Sequence, residues 1–101
     1  MNLPQCSVTL TEEGAEAKLR SVMDRFVQRV SEQTLLGLLD KLLAQRVLTA
    51  DEMEAVEEEK HRTDKARRLI KTVWMKGDKP SSVMMDIIGQ LDRNLSDALH
   101  L

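Results

Sequence analysis

The side chains that could perform nucleophilic chemistry are few and far apart. The chain has one cysteine, Cys6, and two histidines, His61 and His100. A thiol attacks a substrate efficiently only when an imidazole is held against it and a third group orients the ring. Cys6 lies in an N-terminal segment without helical periodicity, whereas nucleophiles are normally fixed on rigid elements. We therefore predict that this chain is not an enzyme.

Acid–base, metal and phosphate sites are disfavoured on similar grounds. Glu57, Glu58 and Glu59 are consecutive, so on a helix their carboxylates point in different directions. One cysteine and two distant histidines do not supply the ligands of a zinc site. Residues 77–80 lack the GKS/T ending and the preceding strand of a phosphate-binding loop. We expect neither a cofactor nor a metal.

The composition favours one helical domain. The chain has 101 residues, enough for a single core, and its four glycines and two prolines are few for an all-β domain. Phe26 and Trp74 are the only aromatic residues, so the core must be aliphatic. No apolar run approaches the roughly 20 residues of a membrane span, and no signal-peptide pattern is present. A single cysteine excludes an internal disulfide, and we expect a cytoplasmic protein that does not enter membranes.

Apolar periodicity predicts six helices after an N-terminal segment. Residues 1–14 have no helical period and are predicted to be flexible, with the folded domain at residues 15–101. Thr49 and Glu52 have the spacing of a capping box and should open a short, largely exposed third helix. Pro80 suits the start of a fifth helix, and Asn94 or Ser96 could cap a sixth. The main apolar stripes span residues 19–30, 35–43, 66–73 and 84–91.

The net charge of −2 conceals a strong separation of charge along the chain. Residues 48–60 carry six acidic groups and one basic group, whereas residues 61–79 carry seven basic and two acidic groups. The third helix should therefore be negative and the fourth positive. Two such surfaces on one molecule can dock head to tail and form open arrays. The alternative is that each is only a solvated helix face, because exposed ion pairs contribute about 0–1 kcal/mol.

The basic fourth helix also allows a hypothesis of another class, a small helical nucleic-acid-binding domain. Lys65, Arg67, Arg68 and Lys71 could follow a phosphate backbone. However, the domain is acidic overall, and its negative third helix would repel that backbone. No aromatic side chains accompany the basic residues to stack on bases. Nucleic acid is therefore not the expected partner.

Two stretches of the chain resemble a known family. Residues 34–43 read TLLGLLDKLL, with RVLT at 46–49, and residues 64–70 read DKARRLI. These resemble the caspase recruitment domain (CARD) of the death-domain superfamily, and most closely the prodomains of inflammatory caspases and their CARD-only relatives. The resemblance implies an all-α, six-helix antiparallel Greek-key bundle. It implies no catalysis in this domain, although the chain could be the prodomain of a cysteine protease.

The same resemblance implies a function in binding other CARD-containing proteins. In the family, a basic surface from the first and fourth helices meets an acidic surface from the second and third, and repeated contacts build filaments. We expect a homotypic module that recruits or regulates an inflammatory caspase in inflammasome signalling and that self-associates. The alternative within this class is a CARD-only decoy that caps or blocks assembly. The predicted basic face comprises Arg25, Arg29, Lys65, Arg67, Arg68 and Lys76, and the predicted acidic face comprises Asp40, Glu54, Glu57 and Glu58.

Overall fold

The computed structural model describes the backbone of residues 2–101 and the side chains of residues 14–101. Between residues 2 and 101 the chain forms helices and no strands, which confirms the predicted all-α class. The number of helices within this range, six, is also as predicted. They are α1 (Asn2–Arg29), α2 (Glu32–Ala44), α3 (Ala50–Glu57), α4 (Arg62–Trp74), α5 (Asp78–Leu91) and α6 (Arg93–Ala98).

Helix α1 is longer than its apolar stripe. It begins at Asn2 and so includes the backbone of most of the segment predicted to be flexible, residues 1–14. The side chain of Cys6 lies outside the described residues, and the flexibility of this segment stays a prediction. A long-range contact fixes α1 from Glu16 onward, where the backbone N–H of Glu16 donates to Asp78 Oδ1 at 3.0 Å.

An aliphatic core holds the bundle together. Phe26 is the single aromatic residue among the fully buried side chains, and the others are mainly leucines and isoleucines. Helix α1 packs against α4 and α5, α2 packs against α5, and α6 packs against α5. Helix α3 buries only Val56 and lies mainly against α4, which leaves most of its surface in solvent, as predicted.

Side chains fix the starts of α2 and α3 where the sequence indicated helix boundaries. Ser31 precedes α2 and accepts the Thr34 N–H at 3.1 Å. The predicted capping box is present at α3: Thr49 Oγ1 accepts the Glu52 N–H at 3.1 Å, and Glu52 Oε1 accepts the Thr49 N–H at 3.0 Å. These bonds satisfy N–H groups that have no partner inside the helix.

The later boundaries differ slightly from the predictions. Helix α5 begins at Asp78, so Pro80 lies in its first turn, as predicted, and the difference is at α6. Asp92, rather than Asn94 or Ser96, caps α6 by accepting the Leu95 N–H at 3.0 Å. Asp92 also has a tertiary contact that a local pattern does not reveal. Its other oxygen accepts the hydroxyl of Thr34 at 3.2 Å, which links α2 to the start of α6.

Arg62 joins the end of α1 to the start of α4. Its Nη1 donates to the carbonyl oxygens of Val27 at 2.8 Å and Val30 at 2.7 Å. Carbonyls at the end of a helix lack N–H partners and lie at the negative end of the helix dipole, so a guanidinium there is favourable. Arg62 is therefore a structural residue within an otherwise basic stretch.

Replacing Arg62 with alanine should destabilise the fold. The change removes a charged donor and leaves two part-buried carbonyl oxygens without it, which should lower the free energy of unfolding by about 2 kcal/mol. Urea denaturation followed by circular dichroism measures this value. Arg93→Ala, at an exposed arginine, is the control and should change stability by less than about 0.5 kcal/mol. Equal stabilities of the two variants would contradict this role for Arg62.

Candidate functional site

The acidic residues predicted to bind a partner are all exposed. Glu54, Glu57 and Glu58 have the i, i+3, i+4 spacing that places side chains on one side of α3, and Asp40 is exposed on α2. Among residues 14–101, no basic side chain forms an ion pair with any of these four. Like charges at this spacing repel one another. A cationic surface from outside the chain would relieve that repulsion.

Three cations of α4, Lys65, Arg67 and Arg68, already have acidic neighbours. Their side chains are partly or half exposed, so each ion pair is weak, of the order of 0–1 kcal/mol, and can exchange its partner. The charge of α4 is nevertheless partly balanced inside the molecule. The pairs are Lys65 Nζ with Glu32 Oε2 at 3.4 Å, Arg67 Nη1 with Asp64 Oδ1 at 3.5 Å, and Arg68 Nε with Glu59 Oε2 at 3.5 Å.

An open groove of about 370 Å³ lies along α4. Arg67, Arg68 and Lys71 line it together with Asp64 and Glu59, so its walls carry both cations and carboxylates. Its lining also includes Met75, an apolar side chain that is 75% exposed. The groove offers positive charge and one apolar contact to a partner, but it is not a uniformly basic surface.

Arg25 and Arg29 lie on a different side of α1 from Arg20. The guanidinium of Arg20 lies 5.8 Å from the ring centre of Trp74 on α4. Arg29 follows nine residues later, on the opposite side of the helix at about 100° per residue. There it lines a depression of about 240 Å³ beside α6, and Arg25 lies one turn earlier on the same side. A single basic face that joins these two arginines to the cations of α4 stays a prediction.

Arg20 is the α1 cation beside α4, and it was not among the predicted site residues. It also pairs with Glu16 at 2.7 Å. Its i, i+4 spacing from Glu16 indicates a local ion pair, but nothing in the sequence alone indicates which side of α1 faces α4. The position of Trp74 supplies that information.

The comparison with protein families decides the identity of this bundle. The family model of the caspase recruitment domain matches residues 16–101, which is most of the chain. The chain belongs to the CARD family. The predicted resemblance is thereby confirmed, and this CARD is a domain of a protein-interaction family.

Curated relatives agree with this assignment at modest identity. Human caspase recruitment domain-containing protein 16 is 36% identical over 88 residues, covering 86% of this chain and 45% of that protein. Horse caspase-1 is also 36% identical over 88 residues, which are 22% of its length. The human putative caspase recruitment domain-containing protein 17P is 35% identical, with 80% of its length covered. The chain thus spans less than half of the first two relatives. No solved structure matches it at comparable significance.

The described part of this CARD has neither a group of metal ligands nor a membrane-spanning helix. From Gly14 to Leu101, no three His, Cys, Asp or Glu side chains are grouped so that they could hold a metal ion. None of the described helices combines the length and the hydropathy needed to cross a bilayer. His61 precedes α4 and His100 follows α6, both exposed, while the Cys6 side chain lies outside the described residues.

Lys76, a predicted partner-binding residue of this CARD, contacts the capping box of α3. Its Nζ lies 2.9 Å from Glu52 Oε1, and both side chains are about a third exposed. Burial raises the pKa of the Glu52 carboxyl, but hydrogen bonds from the Thr49 N–H and from Lys76 together outweigh burial. The pKa of Glu52 therefore lies below its ordinary value.

This lowered pKa predicts an acid-dependent loss of stability. The stabilisation is fully present above the pKa of a glutamate in the unfolded chain, about 4.3, and is lost as the pH falls through the lower pKa of the folded state. Glu52→Gln keeps an oxygen that can accept the Thr49 N–H but has no charge to lose. Urea denaturation between pH 3 and 7 should therefore show a smaller pH dependence for Glu52→Gln than for wild type. If the stability of Glu52→Gln and of wild type changed equally with pH, the role of the Glu52–Lys76 ion pair would be contradicted.

Proposed function

We propose that this CARD is a homotypic interaction module that recruits or regulates an inflammatory caspase in inflammasome signalling. The observation that carries the proposal is the exposed acidic surface of Asp40, Glu54, Glu57 and Glu58, which no described cation neutralises. The match to caspase-1 at modest identity supports the choice of a caspase as partner. The proposed location is the cytoplasm.

Charge complementarity is the proposed basis of partner choice. Opposite potentials steer two proteins together and fix their register, and like charges exclude wrong partners. The acidic surface would meet a basic surface of another CARD. Arg67 and Arg68 are half exposed and held only by long ion pairs, so they are able to transfer to carboxylates of a partner.

The alternative within this class is a decoy that caps or blocks an assembly. The internal pairing of the α4 cations favours it, because a copy that docks through its acidic surface alone would end an array. Reconstituted caspase-1 activation distinguishes the two roles by the sign of the effect. A recruiter raises the rate of activation when added at low molar ratio, whereas a decoy lowers it.

The pairing of α4 cations with carboxylates also weakens the nucleic-acid hypothesis. Carboxylates of Glu32, Asp64 and Glu59 lie beside the α4 cations and would repel phosphates. A mobility-shift titration at low salt tests this directly. Binding with a steep salt dependence would favour the nucleic-acid function over the proposed one.

Charge reversal at one residue of each surface tests the interface. Asp40→Arg and Arg67→Glu alter exposed side chains, so both variants should fold with an unchanged circular dichroism spectrum. Each should weaken binding to the isolated caspase-1 CARD at least tenfold, because each places like charges against the partner. Biolayer interferometry measures the affinity.

Lys41→Glu is the matched control for Asp40→Arg. It reverses an exposed charge on the neighbouring residue of α2, which points about 100° away around the helix. It should bind the caspase-1 CARD as wild type does. If Asp40→Arg and Arg67→Glu both retained wild-type affinity, the assignment of these faces would be wrong.

A further inference from the structure

A cationic pocket of about 380 Å³ lies between the end of α2 and the start of α5. We name it the α2–α5 pocket. Unlike the α4 groove and the depression beside α6, its lining contains no carboxylate. It is lined by Gln45, by three cations and by three apolar side chains, which are Arg46, Lys76 and Lys79 with Val47, Pro80 and Val83.

Two of the three cations have no acidic neighbour in the described chain. Arg46 and Lys79 are exposed, and no carboxylate between residues 14 and 101 lies within ion-pair distance of either. Lys76 is the exception, because it pairs with Glu52. The pocket therefore keeps a positive charge that the fold does not balance, in contrast to Lys65, Arg67 and Arg68 of α4.

Arg46 stands at a backbone position that favours glycine. The Val47 N–H donates to the Leu42 carbonyl at 2.9 Å and the Arg46 N–H to the Leu43 carbonyl at 3.0 Å, an arrangement that ends α2 with Arg46 at φ 63°. Side chains are disfavoured in this left-handed conformation. The arginine brings charge to the pocket although glycine would end the helix better.

The α2–α5 pocket and the acidic residues Glu54, Glu57 and Glu58 lie on opposite sides of α3. Glu52, through its contact with Lys76, marks the side of α3 nearest the pocket. Glu54 is two residues later, about 200° around the helix, and Glu57 and Glu58 also point more than 90° away from Glu52. The two surfaces therefore cannot meet within one molecule, but they can meet between two copies.

We propose that the α2–α5 pocket of one copy binds the acidic row of a second copy, formed by Glu54, Glu57 and Glu58. This inference rests on the proposed function, because it assigns two surfaces of homotypic association. The opposite charges supply complementarity, and Val47, Pro80 and Val83 supply an apolar centre of the kind that interfaces bury. Since the two surfaces differ, the contact is heterologous and repeats in one direction as an open array.

Removal of either free pocket cation should weaken self-association at least tenfold. Arg46→Gly is informative because it deletes the charge while relieving the left-handed backbone, so the helix end is retained. Lys79→Glu reverses the second charge. Sedimentation velocity across a concentration series measures the association, and Arg93→Glu is the control, since Arg93 is exposed and outside the pocket. If Arg46→Gly and Lys79→Glu both associated as strongly as the wild-type chain, the proposal would be overturned.

A mixture of two variants tests the direction of the contact. Lys79→Glu keeps the acidic row and Glu57→Lys keeps the pocket, so each should be monomeric alone. Mixed in equal amounts, they should associate, because the intact pocket of one variant can bind the intact acidic row of the other. Failure of the mixture to associate would overturn the proposal.

Wild-type behaviour separates this inference from the proposed function. A wild-type chain that binds the caspase-1 CARD but does not associate with itself would contradict the pocket assignment and leave the proposed function standing. A chain that binds neither itself nor the caspase-1 CARD would contradict both.

Discussion

The packing of α4 against α1 is the contact on which the rest of the structure depends. Ala66, Leu69, Ile70 and Val73 bury one side of α4, and Arg62 fixes its first turn to the carbonyl end of α1. This orientation leaves the arginines and lysines of α4 outside. They lie where acidic residues from α2 and from the α3–α4 connection can reach them, so core packing decides which charges are balanced within the molecule.

Charge balance, rather than charge count, then distinguishes the surfaces. Helix α4 has many cations, but Lys65, Arg67 and Arg68 each lie beside a carboxylate. Glu54, Glu57 and Glu58 have no described counter-ion, and neither do two cations of the α2–α5 pocket. In a chain of net charge −2, such unbalanced surfaces can determine how copies associate.

The sequence was sufficient to predict the elements and insufficient to predict the surfaces. Periodic leucines and isoleucines indicated six helices, and the Thr49–Glu52 spacing indicated the α3 cap, because both patterns are local. Arg62 was counted as surface charge, since its carbonyl partners lie 32 and 35 residues away. Arg25 and Arg29 were grouped with α4 because the family resemblance implies a basic face from the first and fourth helices, and the sequence alone does not show which side of α1 faces α4. Arg46 was noted only as part of the RVLT motif, since its position in the pocket depends on a backbone angle and on α5.

The central claim is that unbalanced, opposite charges drive association of this CARD, and salt tests it most directly. Sedimentation velocity of the wild-type chain at 50 and 500 mM NaCl, with circular dichroism at both, separates association from folding. The account predicts large species at low salt that revert to the 11.5 kDa monomer at high salt, with an unchanged helical spectrum, because salt screens exposed charges. Species of the same size at both salt concentrations would contradict it.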